Sequence, residues 1–167
     1  MPVLHPAGLP DTALLGQCTV RRGRTSGPGG QHRNKVETQI ILLHGATGCS
    51  AQAGERRSQQ QNKGVALFRL RLVLALEVRC AVSKAPSPRW QARCRKGSLR
   101  VNPSHADFPP LLAEALDHIF VAGLDARTAA EKLNCSPTQL IKFVKQHPPA
   151  LRLWNKEREA QSLHPLR

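Results

Sequence analysis

Tyrosine is missing from this 167-residue chain, and aromatic residues make up only 4% of it. A single-strand binder that stacks bases on aromatic platforms is therefore set aside. Acidic residues are scarce as well, with 11 Asp and Glu against 25 Lys and Arg, for a formal net charge of +14. An excess of that size argues against an average cytosolic enzyme. It implies a polyanionic partner, most often nucleic acid and less often an acidic membrane surface. The five cysteines, Cys18, Cys49, Cys80, Cys94 and Cys135, are odd in number and form no CxxC pair. A disulfide framework and a zinc ribbon are both set aside, no metal site is expected, and reduced thiols are the default. Long hydrophobic runs are lacking too. The most apolar stretch, Val65 to Val78, is interrupted by Arg69 and Arg71 and is too short to span a bilayer. The opening "MPVLHPAGLPDTALLG" has no basic segment leading into an apolar core, so no secretory signal is expected.

What is present reads as an α+β chain in three parts. In residues 1–79, "TALLG" after Pro10-Asp11 is a short helix with Asp11 as its expected N-cap. "QCTVRR" reads as a strand, and Val36 to His44 as another. "GATG" supplies a turn and "CSAQA" the returning strand. Val65 to Arg79 has the apolar density of a largely buried helix. Residues 80–106 contain Pro86, Pro88 and Pro103 and no acidic residue, and read as a basic linker. Residues 107–167 read as helices. Gly123 closes the first of them, Asp125 and Ser136 cap the next two, and Pro148-Pro149 is expected to break the chain before a last one. Trp90 and Trp154 read as packing anchors rather than stacking platforms.

The chemistry concentrates in "SGPGGQHRNK", Ser26 to Lys35. A phosphate-cradling GxxxxGK[ST] loop fails there, because His32 stands where the second glycine should be, and GxGxxG fails at the same place. A plain turn explains Gly and Pro but not the amide and basic side chains after them. Asp11 and Glu37 are the only carboxylates before Glu55, so paired-carboxylate chemistry is not expected near the loop. His32 as a general base is the weaker reading beside RNA contact.

The loop resembles the GGQ loop of class I peptide chain release factors and of their codon-independent relatives that rescue stalled ribosomes. The resemblance extends to the strand Val36 to His44, the hairpin at Thr47-Gly48, "RSQQQNK" from Arg57 to Lys63, and the apolar helix after it. It covers roughly Gln17 to Arg79. It implies a ribosome-dependent peptidyl-tRNA hydrolase with Gly29, Gly30 and Gln31 as catalytic residues. Glycine lets the backbone approach closely and adopt φ values that other residues avoid. A backbone N–H aimed at a developing oxyanion acts without changing protonation. By resemblance that donor is the N–H of Gln31, and its side-chain amide helps place water.

No metal or organic cofactor is implied. The expected partners are the ribosome, through large-subunit rRNA at the peptidyl-transferase centre, and the peptidyl-tRNA in the P site. A glutamine methyltransferase acting on Gln31 is a further expected partner, and a cytoplasmic monomer without membrane contact is the expected state. RNA contact is expected from Arg24, Ser26, His32, Arg33, Lys35, Arg56, Arg57 and Lys63, and from Arg93, Arg95 and Lys96 in the basic linker. Ser58, Gln59 and Asn62 either cap the helix or touch RNA. Decoding release factors carry a stop-codon-reading domain and a preceding helical domain, and the chain shows neither, so the codon-independent branch is expected. "ARTAAEKLNCSPTQLIKFVKQ" resembles a helix-turn-helix, with Ala129, Ala130, Leu133, Leu140, Ile141 and Val144 in its core. The alternative there is a helical hairpin that packs on the ribosome or on the GGQ domain. The alternative for the whole chain is a non-catalytic RNA-binding or helix-turn-helix nucleic-acid-binding protein on a GGQ-type fold.

Overall fold

A computed structural model describes residues 4–23 and 38–167. β-Branched and aliphatic residues build a three-stranded antiparallel sheet, with burial alternating along its central strand. Its strands are β1 (Cys18–Gly23), β2 (Gln39–His44) and β3 (Ser50–Ala53), in that spatial order. Cys18 pairs with His44 and Gly23 with Gln39, while Ile40 pairs with Ala53. Ile40, Leu42 and His44 point to one buried face of the central strand. The β2–β3 turn closes through Gly48 at φ +73°, a left-handed conformation that glycine adopts without strain. His44 is buried, and its ring is hydrogen-bonded to Thr47 Oγ1 (2.8 Å) and Gln17 Oε1 (3.0 Å), which ties the turn to the start of β1.

Helix α1 spans Asp11–Gly16 and α2 spans Gln59–Glu77, the latter lying across β2 and β3. The expected helix at Val65 begins six residues earlier, because the Ser58 hydroxyl accepts the Gln61 N–H (3.4 Å) and caps it. Asp11 is not the N-cap of α1; Pro10 holds that position. The Asp11 carboxylate instead accepts from Arg71 (2.6 Å), whose guanidinium also reaches the Ala7 carbonyl (2.7 Å). An arginine on the buried face of α2 is tolerated because its charge is paired and hydrogen-bonded there.

The stretch expected to be a basic linker contains folded structure. Helix α3 (Pro88–Arg93) is capped by the Ser87 hydroxyl, and β4 (Cys94–Arg95) and β5 (Ser98–Leu99) form an antiparallel hairpin. Trp90 is only 1% exposed, donates from Nε1 to the Leu133 carbonyl (2.8 Å) and meets Phe143 edge-on at 5.8 Å. One indole and the buried Leu99 replace the many small apolar residues that usually mark a folded segment. Their burial suffices because a large aromatic removes so much surface from water. Basic residues just before this region and within it are also spoken for. Arg79 binds Asp117 (3.1 Å) and lies over the Phe120 ring, and Arg93 binds Asp107 (2.7 Å).

Four helices complete the fold: α4 (Phe108–Val121), α5 (Ala126–Lys132), α6 (Pro137–Lys145) and α7 (Pro148–Ala160). Asp125 and Ser136 cap α5 and α6 as expected, accepting from Thr128 N (2.7 Å) and Gln139 N (3.2 Å). Pro148 does not break the chain. It occupies the first turn of α7, where its missing N–H has no partner to lose. Leu140 and Val144 are buried as expected, but Phe143 is buried in place of Ile141, which is partly exposed. Trp154 is fully buried and donates to the Leu124 carbonyl (3.1 Å). Helix α4 packs against α2, and the buried apolar residues of the sheet, of α2 and of the later helices form one continuous cluster.

Candidate nucleic-acid interface

Gly29, Gly30 and Gln31 lie outside the described residues, as do Arg24, Ser26, His32, Arg33 and Lys35. What the structure describes is the frame around them. Gly23, the last residue of β1, pairs with Gln39, the first of β2. Residues 24–37 thus join two strand ends that are held side by side. Gln39 is fixed further by its amide, which donates to Gln52 Oε1 (3.3 Å) on β3.

Asn62 locks the exit from that segment. It is 0% exposed in the first turn of α2. Its Oδ1 accepts the Arg56 N–H (2.9 Å), and its Nδ2 donates to the Thr38 carbonyl (2.6 Å) and to the Arg56 carbonyl (2.9 Å). Of the two roles open to Ser58 and Asn62 in the sequence, capping or RNA contact, Ser58 takes the cap. Asn62 takes neither: it is a buried brace joining the approach to β2, the Arg56 turn and α2. Replacing Asn62 with Asp keeps the acceptor but turns a second carboxylate oxygen toward two carbonyls. Each orphaned carbonyl costs about 1–3 kcal/mol. We expect Asn62→Asp to lower the urea midpoint by an amount equal to roughly 2–6 kcal/mol of stability. A midpoint equal to that of the parent would refute the brace.

Arg56 and Arg57 are exposed on the turn after β3, at the sheet end where Thr38 and Gln39 lie. Lys63 is partly exposed one residue after Asn62. Glu55 offers the nearest described carboxylate in sequence, and it is taken by Arg69 (2.5 Å). Hydrogen bonds from the backbone N–H groups of Glu55 itself and of Gly54 hold its carboxyl below the usual range. Arg56 and Arg57 consequently keep their charge facing outward, beside the strand ends that residues 24–37 join. Arg95 and Lys96 are exposed on the β4–β5 hairpin, whereas Arg93 is half-buried against Asp107.

At the other end of α2, His5, Cys80 and Asp117 bring one potential ligand atom each within 4.8 Å of one another. The ligand atoms of His5 and Asp117 already have hydrogen-bond partners. His5 Nδ1 accepts the Ala7 N–H (3.0 Å), its Nε2 faces the Val78 carbonyl (3.2 Å), and Asp117 accepts from Arg79 and from the Cys80 N–H (both 3.1 Å). Burial pushes His5 down and Asp117 up from their ordinary values. The arrangement reads as a clamp between the N-terminal segment, the end of α2 and α4.

A three-stranded antiparallel sheet covered by one long helix, with two strand ends pinned side by side where residues 24–37 join them and an exposed arginine pair near those ends, defines a small α+β domain. Residues 16–103, more than half of the chain, match the family model described as the RF-1 domain, and the chain belongs to that family. It is 44% identical over 64 residues to peptide chain release factor PrfB1, chloroplastic, of Arabidopsis thaliana, covering 36% of this chain and 14% of that protein. It is 48% identical over 48 residues to peptide chain release factor 2 of Acidovorax sp. (strain JS42), covering 29% of this chain and 13% of that protein. A longer match, 30% identical over 132 residues, links it to peptide chain release factor 2 of Paramagnetospirillum magneticum, with 69% of this chain and 36% of the relative covered. The chain thus spans a minor part of the length of these relatives. No solved structure matches it. Among the described residues no helix is long and apolar enough to cross a membrane.

Proposed function

We propose that this protein hydrolyses the ester of peptidyl-tRNA in the ribosomal A site, independently of the codon there, and so frees stalled ribosomes. The observation that carries the reading is the family match across residues 16–103, which includes Gly29-Gly30-Gln31 and the Arg57 to Lys63 segment. Water adds to the ester carbonyl, the bond to the tRNA ribose oxygen breaks, and that oxygen leaves with a proton. The peptide departs as a carboxylic acid. The Gln31 backbone N–H stabilises the oxyanion, and its side-chain amide holds the water. Large-subunit rRNA around the peptidyl-transferase centre supplies the rest of the site. Phosphate contacts come from Arg24, Ser26, His32, Arg33 and Lys35 on the loop, from Arg56, Arg57 and Lys63 beside it, and from Arg95 and Lys96 on the hairpin. Gln31 is the substrate of a glutamine methyltransferase in this reading.

Codon independence is the finer part of this proposal and is tested directly. The deciding experiment is peptide release from purified ribosomes carrying an empty A-site codon, a stop codon or a sense codon. Release is expected in all three and fastest where the mRNA ends near the P site. A strong stop-codon preference by the isolated protein would overturn codon independence. Absence of release from all three would overturn the hydrolase reading.

A further inference from the structure

We propose that the β4–β5 hairpin is a preformed phosphate-binding finger for ribosomal RNA, whose shape matters as much as its charge. This role rests on the ribosome-directed function proposed for the chain. Lys96 and Gly97 both sit in the left-handed region, at φ +49° and +76°, which makes the tip a two-residue hairpin turn of the type that matches strand twist. Asn and Gly are the residues that adopt this conformation at least cost; a lysine there is unusual. The Lys96 side chain makes no hydrogen bond or ion pair among the described residues, and neither do those of Arg95 and Arg100. All three are exposed. Among the described residues the fold thus holds an unpartnered lysine at a strained tip between two unpartnered arginines.

The finger is braced from behind. The Gly97 carbonyl accepts the N–H of Ser136 (3.4 Å), the N-cap of α6, and the Arg100 N–H donates to the Arg93 carbonyl (3.2 Å). Leu99 is buried below. A concavity of about 460 Å³ opens beside it, lined by Ala92, Arg93, Arg95, Lys96, Ser98 and Arg100. Among the described residues no carboxylate lines it. Asp107, the partner of the lining Arg93 (2.7 Å), is shared with Arg89 (3.5 Å). Cations of one sign around a concave surface fit a phosphodiester backbone, whose oxygens accept several N–H groups and release counterions on contact.

The test is equilibrium binding of the full chain to purified large ribosomal subunits across a salt series. Gly97→Val keeps every charge but cannot adopt φ +76° without strain. It is expected to weaken binding at least about fivefold, while the other exposed cations stay in place. Lys96→Asn suits the turn and removes one charge. Together with Arg95→Gln and Arg100→Gln it is expected to flatten the log–log salt slope by roughly 0.7–0.9 per lost phosphate contact.

Parent-like affinity for folded Gly97→Val would overturn the role of shape. Unchanged affinity and slope in the triple variant would overturn the site, and that outcome decides even if Gly97→Val fails to fold. Should the parent not bind subunits at all, the ribosomal reading fails instead. The same series on an RNA duplex then decides the finger: the same ranking of variants supports it, and equal binding by all overturns it.

Discussion

Gly29→Ala and Gly30→Ala are each expected to slow single-turnover peptide release by about 10²–10³-fold, the scale of losing one oxyanion donor. Ribosome affinity should change little. A group that acts only on the transition state can be removed without weakening ground-state binding. In the proposed hydrolase reading, a methyl group at either glycine would block close approach to the RNA pocket and would disfavour positive φ. The backbone N–H of Gln31 would then miss the developing negative charge. Gln31→Ala should be milder, because the N–H survives and only the water-placing amide is lost. The measurement is release from pre-formed peptidyl-tRNA complexes at saturating protein, with affinity measured separately. Parent rates from both glycine variants, with intact binding, would show that the reaction is carried elsewhere in the chain.

The unequal fate of the arginines shows what the net charge of +14 does and does not say. Arg69, Arg71, Arg79 and Arg93 are each paired with a carboxylate: Glu55, Asp11, Asp117 and Asp107. These pairs use up carboxylates that would otherwise offset the surface. The cations left outward are therefore a selected subset, Arg56, Arg57, Arg95, Lys96 and Arg100 among them. Sequence composition reveals the excess. Only the fold shows which positive groups remain available to a phosphate.

The sheet and its covering helix were legible because their signals are local. A run of β-branched and aliphatic residues marks β2, Gly48 marks the hairpin, and Asp125 and Ser136 cap helices from positions that sequence can identify. The brace at Asn62 was not legible, since its partners Thr38 and Arg56 contribute backbone atoms, which carry no residue signature. The same limit hid the exchange in which Asp11 leaves its expected cap for Arg71, a pairing across sixty positions of chain. The folded character of residues 88–99 was obscured for a different reason. Density of charge reads as extension, and a single tryptophan weighs little in any average over the window.

That tryptophan supplies the last test. Trp90→Ala is expected to remove about 3–5 kcal/mol of stability, the usual range for deleting a buried aromatic. The loss has three sources that act together. The cavity forfeits the indole's contacts with its surroundings, including the edge-on contact with Phe143 at 5.8 Å. The Leu133 carbonyl, which accepts from Nε1 at 2.8 Å, is left without that partner at the turn between α5 and α6. Helix α3 then loses its anchor, although Ser87 remains tied to Glu114 through its N–H (2.7 Å) and hydroxyl (2.6 Å). Against a total of roughly 5–15 kcal/mol, such a change is large, and for a chain of this size it corresponds to a fall in Tm of roughly 6–20 °C. Trp90→Phe should recover part of it by keeping an aromatic ring without the hydrogen bond. An extended basic tether would behave otherwise. Its tryptophan would be solvent-exposed, and neither substitution would move the melting curve. A parent-like Tm for Trp90→Ala would therefore return residues 80–106 to the status of a linker, and the hairpin finger would lose the platform that holds its shape.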